Sequence, residues 1–296
     1  MLAMREMRAF LKARRARLRP SDVGLRAGNG TRRTPGLRRA EVAQLAGISE
    51  AWYTKFEMGQ ERALTARVVG PVAKALRLTE VERCYLSDLV NWSARDTAQT
   101  SLALPLEWGI GTVTDVVLVA YDRWMTALKW NAGANAFLGL DSEDRRFHNK
   151  LSALFLVPQM RAIFGPRWER HARLLLGVFR RNLGRDPNNT DAWRVVEGLQ
   201  SAPDFGRLWK EHEVHALEEI MDADGTEPIF LTHSRFGSFE GVGAVLELPG
   251  SGGGHVWMIA PRDGVGVRLL RTATSLQLAG GALAGAHSWV AARATS

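Results

Sequence analysis

The run from Arg38 to Gly59 carries the most informative spacing in the chain. If Ser49 opens a helix, Glu50, Ala51, Trp52 and Lys55 share its forward face. Such groups have partners on base edges: a carboxylate accepts from the cytosine amine, an ammonium donates to guanine O6 and N7, and a methyl meets the thymine methyl. Arg38 and Arg39 begin the preceding helix, where the positive end of the helix dipole and two guanidiniums would hold a backbone phosphate and fix register. Arg32, Arg33 and Arg14 are further cations for that role. The chemistry is recognition of double-stranded DNA, with phosphates setting position and base edges setting sequence.

Those side chains need two short helices joined by a tight turn. The pattern predicts them at Leu37 to Ala46 and Ser49 to Met58. Val42 and Ala43 face inward, Ala46 allows close approach, Gly47 supplies a left-handed turn and Ile48 plugs the angle between the helices. Ser49 caps the second helix, whose back is buried by Tyr53 and Phe56. Around this pair the spacing predicts a basic helix from Arg5 to Leu18, with Phe10, Leu11 and Leu18 as core contacts and Pro20 as its stop. Gly24 to Gly36 reads as a loop. Another helix spans Thr65 to Leu76, expected to kink or restart at Gly70-Pro71 because proline lacks the amide donor. Thr79 and Glu82 form a capping box that opens one more.

Charge supports a polyanion partner. All the excess behind the formal +8 lies in the first hundred residues, and the remainder is nearly balanced. Arginine and lysine that neutralise phosphates release counterions and give sequence-independent affinity. At 296 residues two domains are expected. The single cysteine, Cys84, excludes an internal disulfide and a cysteine-rich zinc site. The longest apolar run, Val116 to Tyr121, is too short to span a bilayer. The expected location is the cytoplasm, with no membrane partner.

Beyond a polar linker at 93–104 the pattern turns to mixed α and β. Val116 to Tyr121 and Met125 to Trp130 read as strands joined by a tight turn at Asp122-Arg123. Helices are expected at Ala132 to Leu138, Pro158 to Asn182, Thr190 to Gln200 and Asp204 to Val214. Strands follow at Ile229 to His233, Gly243 to Leu248, His255 to Ile259 and Gly266 to Leu270. Most of the ten tryptophans lie in this half, where large aromatics build cores and line apolar pockets. Trp130, Phe155, Phe164, Phe179 and Phe205 are the candidates for such a pocket.

Catalytic readings have less behind them. His212-Glu213-Val214-His215, with acids nearby, lacks a further ligand placed by the sequence. His233-Ser234 has no Gly-x-Ser-x-Gly elbow. Gly250 to Gly254 lacks the Lys-Ser/Thr ending of a phosphate loop. No enzyme activity, metal or cofactor is expected. The alternatives to a regulator are a protein-interaction adaptor and an enzyme tethered to DNA.

From Ala43 through Gly47-Ile48-Ser49 to Glu57-x-Gly59, the N-terminal segment resembles the lambda-repressor/Cro-like, XRE-type helix-turn-helix family, over about Phe10 to Val90. Arg32 to Arg39, as Arg-Arg-x-Pro-Gly-Leu-Arg-Arg, narrows the resemblance to regulators that carry an MmyB-like ligand-binding domain. Trp130-Asn131, Arg146 with Asn149, Trp193 to Leu199, the series Ser201, Phe205, Trp209, His212 and Val214, and Thr232-His233 with Gly237 resemble motifs of that domain. The resemblance implies an all-α helix-turn-helix domain at 1–92 and an α/β, PAS-like domain at 105–296. It further implies a homodimer and a small, often apolar ligand. Trp52 stands where the family more often has a smaller residue or tyrosine, so base preference is not carried over. Gly70-Pro71 interrupts a helix that is normally continuous, and Ser234 stands where a proline usually follows His233.

Overall fold

Apolar residues three and four apart build five helices in the first third of the chain: α1 (Leu2–Arg17), α2 (Arg39–Ala46), α3 (Glu50–Glu57), α4 (Thr65–Ala75) and α5 (Glu80–Asn91). The computed structural model describes residues 2–25, 36–60, 65–91, 109–220, 228–233, 235–248 and 251–280. Arg32, Arg33, Ser234 and the expected linker lie outside them, as does most of the expected loop from Gly24 to Gly36. The chain divides into two compact units. One comprises Met1–Thr97, Leu183–Thr190 and Trp209–His215; the other comprises Ala98–Asn182, Asp191–Leu208 and Ala216–Ser296.

In the first unit Met7, Phe10 and Leu11 of α1 meet Val42, Tyr53, Phe56, Val72, Leu86 and Leu89 in one core. Phe10 meets Tyr85 edge-on, with ring centroids 5.1 Å apart, a favoured aromatic geometry. Gly47 has φ +68°, which a side chain would strain, and its left-handed turn lets the Ile48 N–H reach Ala43 O at 3.0 Å. The chain therefore turns from α2 into α3 within three residues. The capping box expected at Thr79 is formed: its N–H donates to Glu82 at 2.9 Å and its hydroxyl accepts the Glu82 N–H at 3.3 Å. The restart expected at Gly70-Pro71 is not seen. α4 passes through Pro71 without a break, because Pro71 faces solvent, where water can satisfy the carbonyl it leaves unbonded.

The second unit holds a five-stranded antiparallel sheet in the order β2-β1-β5-β4-β3. Its strands are β1 (Val117–Tyr121), β2 (Ala127–Trp130), β3 (Pro228–His233), β4 (Gly237–Glu247) and β5 (His255–Pro261). Register sets Val119, Trp257 and Val245 side by side on one buried face. The helices are α6 (Ala132–Leu138), α7 (Lys150–Leu156), α8 (Pro158–Ala162), α9 (Trp168–Arg185), α10 (Thr190–Gly198), α11 (Pro203–Trp209) and α12 (Gly264–Gly280). Asn131 ties them to the sheet. Its Oδ1 accepts the N–H groups of Ala134 and Leu118, at 2.8 and 3.1 Å, while its amide donates to Val113 O and Val116 O. The outer edge of β3 is closed as well: the Phe230 N–H donates to Ile163 O at 3.1 Å, and the Arg167 guanidinium donates to Pro228 O at 2.8 Å.

Several boundaries differ from the sequence reading. Gly266 to Leu270, expected as a strand, belongs to α12. Leu270, Ala273 and Thr274 are its buried stripe, and Gly266 is small because a Cβ there would lie 2.8 Å from Pro261. The helix expected over Pro158 to Asn182 is broken at Gly165, which has φ +52° and precedes Pro166. The helix expected to reach Val214 stops at Trp209, and His212 adopts φ +53°. The turn after β1 runs from Asp122 to Thr126; the Asp122 carboxylate accepts the N–H groups of Trp124 and Thr126, each at 2.8 Å. α7 was not anticipated. Among the described residues no helix is long and apolar enough to cross a membrane.

Candidate DNA interface and ligand pocket

Recognition by a helix requires a rigid mount, and α3 has one. The Ser49 hydroxyl accepts the Trp52 N–H at 3.1 Å, which supplies the missing first-turn partner. Tyr53 and Phe56 are fully buried behind it, and burial raises the Tyr53 phenol well above its ordinary range. Glu50, Ala51 and Lys55 are exposed on the front. Trp52 is only half free, because its ring stacks on Phe56 with centroids 5.3 Å apart.

The face that carries Arg38 and Arg39, the groups expected to meet phosphates, is organised by a residue that the sequence reading passed over. Glu57 is 1% exposed, and it accepts from Arg15 Nε at 3.1 Å and from Arg39 Nε. Arg15 also donates to Leu37 O at 2.6 Å, which fixes the entrance to α2. The Arg39 side chain remains 39% exposed while its Nε is held by Glu57. The Arg38 N–H already donates to Glu41 at 2.7 Å, which leaves its exposed guanidinium, not its amide, for a phosphate. Arg14 is not on this surface. It is 3% exposed, paired with Glu82 at 2.9 Å and bonded to His212 O at 2.7 Å. No local pattern announces Glu57: its burial becomes explicable only once the structure brings Arg15 and Arg39 to it, because a buried charge needs paired cations.

In the second unit a tight pocket, with a cavity volume of about 10 Å3, is walled by Tyr121, Leu138, Leu140, Phe147, Lys150, Ala153, Leu154, Met160, Phe164, Leu175 and Trp257. Of the five aromatics expected there, Phe164 lines it. The structure puts the others to different use. Phe155 packs edge-on against Trp168 and Phe205, Phe179 against Trp124, and half-buried Trp130 donates its indole N–H to Asp141 at 2.8 Å. Lys150 opens α7 with its backbone N–H on Met125 O at 2.8 Å. Its ammonium lies 4.0 Å from the Trp257 ring centre and 5.5 Å from that of Tyr121, within cation–π range. Two buried imidazoles flank this layer: His255 stacks on Tyr121 at 5.5 Å and His171 on Phe164 at 3.8 Å. Burial first, and then the Lys150 charge, pushes His255 down to about 3 and His171 well below its ordinary value. Both are neutral at neutral pH. The wall is therefore apolar and aromatic, with one cation in it.

Comparison with known families agrees with this division of labour. A family model described as the MmyB-like transcription regulator ligand binding domain matches residues 106–272. One described as a helix-turn-helix domain matches residues 6–86. No curated protein matches the chain.

Proposed function

The chain belongs to the family of the MmyB-like transcription regulator ligand binding domain, with a helix-turn-helix domain ahead of it, and from that premise we propose a sequence-specific transcription regulator switched by a small, mostly apolar ligand. The observation that carries the DNA half is α3, capped by Ser49, packed from behind and open in front at Glu50, Ala51 and Lys55. In this reading those groups and the free edge of Trp52 meet bases, while Arg38 and Arg39, with Arg32 and Arg33, hold phosphates. The DNA-binding domain is 1–92 and belongs with XRE-type readers. The linker is 93–104, and the PAS-like sensor is 105–296. The regulator works in the cytoplasm as a homodimer, since paired helix-turn-helix modules read two half-sites one helical turn apart.

The ligand occupies the pocket beneath Trp257 and Phe164, which at about 10 Å3 has room for one water and widens to admit it. An acidic group on it gains most at Lys150, where a charge-assisted bond forms in apolar surroundings. To act as a switch, it binds the DNA-competent and incompetent states with different affinity. Selection of sites from random duplex DNA by the purified full chain tests the reading. Enrichment of a sequence with two related half-sites supports it; a bound pool without enrichment, with and without extracts that supply ligands, refutes sequence-specific recognition.

A further inference from the structure

On the DNA-binding reading above, we propose that the outer flank of α1 is a second, sequence-independent contact with the DNA backbone, carried by Arg5, Arg8 and Lys12. These cations recur at i, i+3 and i+7, so they form one stripe along the helix. All three are exposed, and among the described residues none of them forms an ion pair. Five carboxylates of this unit are engaged elsewhere, and Glu50 lies on the front of α3. Glu6 accepts from the Tyr85 hydroxyl, Glu82 meets Arg14, Glu57 meets Arg15, and Asp22 and Glu41 accept backbone N–H groups at the starts of helical turns. Nothing described along the stripe offsets its charge.

Two neighbours on the same helix fix where the stripe points. Met4 lies against the turn after α3, since a Cβ on Gly59 would come within 2.7 Å of the Met4 sulfur. Arg15 is bonded to Leu37 O and Glu57, beside Arg39. At about 100° per residue, Arg8 lies roughly 20° around the helix from Arg15 and about 40° from Met4; Lys12 and Arg5 follow a further 40–60° on. The stripe thus begins at the groups that hold the first phosphates and continues outward. From Arg5 to Arg15 it rises about 15 Å, one cation each ~5 Å. A duplex presents a charge every ~1.7 Å of its axis, so a ridge of this length has phosphates to meet. The occupant is a polyanion continuous with the bound duplex, and the contact adds affinity without adding base preference.

The test is the full-length triple variant Arg5→Gln/Arg8→Gln/Lys12→Gln, measured against its charge-keeping counterpart Arg5→Lys/Arg8→Lys/Lys12→Arg. Affinity for a selected site and for a random duplex is followed across a potassium chloride series. The proposal expects the glutamine variant to bind both duplexes about 10- to 100-fold more weakly near 0.1 M salt. It also expects the slope of log K against log salt to be shallower by roughly 2 to 3, at ~0.9 per lost phosphate contact. The ratio between the two duplexes stays as in wild type, and the charge-keeping variant behaves like wild type. Wild-type slope and affinity in the glutamine variant overturn the proposal. So does a wild-type DNA profile combined with lost transcriptional output, which assigns the stripe to an acidic protein partner. If the wild-type chain itself binds no duplex at any salt concentration, the DNA-binding reading fails, and this proposal fails with it.

Discussion

Lowering the pH from 6.5 to 5 should destabilise the second unit, through His255. This imidazole is fully buried on β5 beside Tyr121 and near Lys150, and it titrates at about 3 instead of its ordinary 6.5. Between those values the unfolded chain binds a proton that the folded chain does not, so stability falls as pH falls through that window and is level above it. Each pH unit traversed is worth about 1.4 kcal/mol, so His255 alone accounts for about 2 kcal/mol between pH 6.5 and 5. His171, lowered by the same causes, adds in the same direction. Most carboxylates titrate below that range, which isolates the histidines. The assay is urea unfolding followed by tryptophan fluorescence at several pH values, on wild type, His255→Gln and Lys150→Met. His255→Gln should be less steep than wild type by about 1.4 kcal/mol per pH unit. Lys150→Met, by removing a neighbouring positive charge, should raise the imidazoles, which leaves the slope between pH 6.5 and 5 nearly as in wild type and ends the loss of stability at a higher pH on the acid side. Parallel pH profiles for wild type and His255→Gln would refute the reasoning, because the buried imidazole would then carry no proton linkage.

The DNA-facing unit offers two further expectations. Glu57→Gln leaves two guanidiniums around a neutral acceptor in a site that is 1% exposed; a loss of about 2 to 3 kcal/mol is expected, since Arg39 can turn to solvent and glutamine keeps an oxygen. An unchanged thermal midpoint would remove Glu57 from its organising role. Lys55→Ala should relax base preference by roughly 1 to 3 kcal/mol at one position, whereas Arg39→Ala should weaken specific and random duplexes alike. Equal effects of both variants on both duplexes would contradict the assignment of α3 to bases and of Arg39 to phosphate.

What the sequence made legible follows the range of the interactions. Gly47, Ile48, Ser49 and the capping pair Thr79 and Glu82 act over a few residues, so their positions could be read directly from the chain, and α2, α3 and α5 lie close to where the pattern placed them. α6, which the pattern also placed, is capped by Asn131. The pocket wall is built from β1, α6, α7, α8, α9 and β5, and no local pattern says which aromatic of each will meet the others. Tyr121 and Trp257 became pocket residues only when register paired their strands, and Lys150 only when the bend at Met125, with φ +65°, brought α7 beneath the sheet. Gly266 misled for a related reason: alternating glycine and valine looks like a strand, while the requirement it meets is the close approach of α12 to Pro261.

The closed edge of β3 bears on how this molecule survives a crowded cell. An edge strand offers a row of unsatisfied backbone groups on which a strand from another chain can grow, and Phe230 beside it is 47% exposed, an apolar invitation to such growth. Here the Phe230 N–H is already given to Ile163 and the Pro228 carbonyl already taken by Arg167, so an incoming strand would find those two rungs occupied. Two bonds from the segment between α8 and α9 thus block strand addition at two positions of this edge of the sheet.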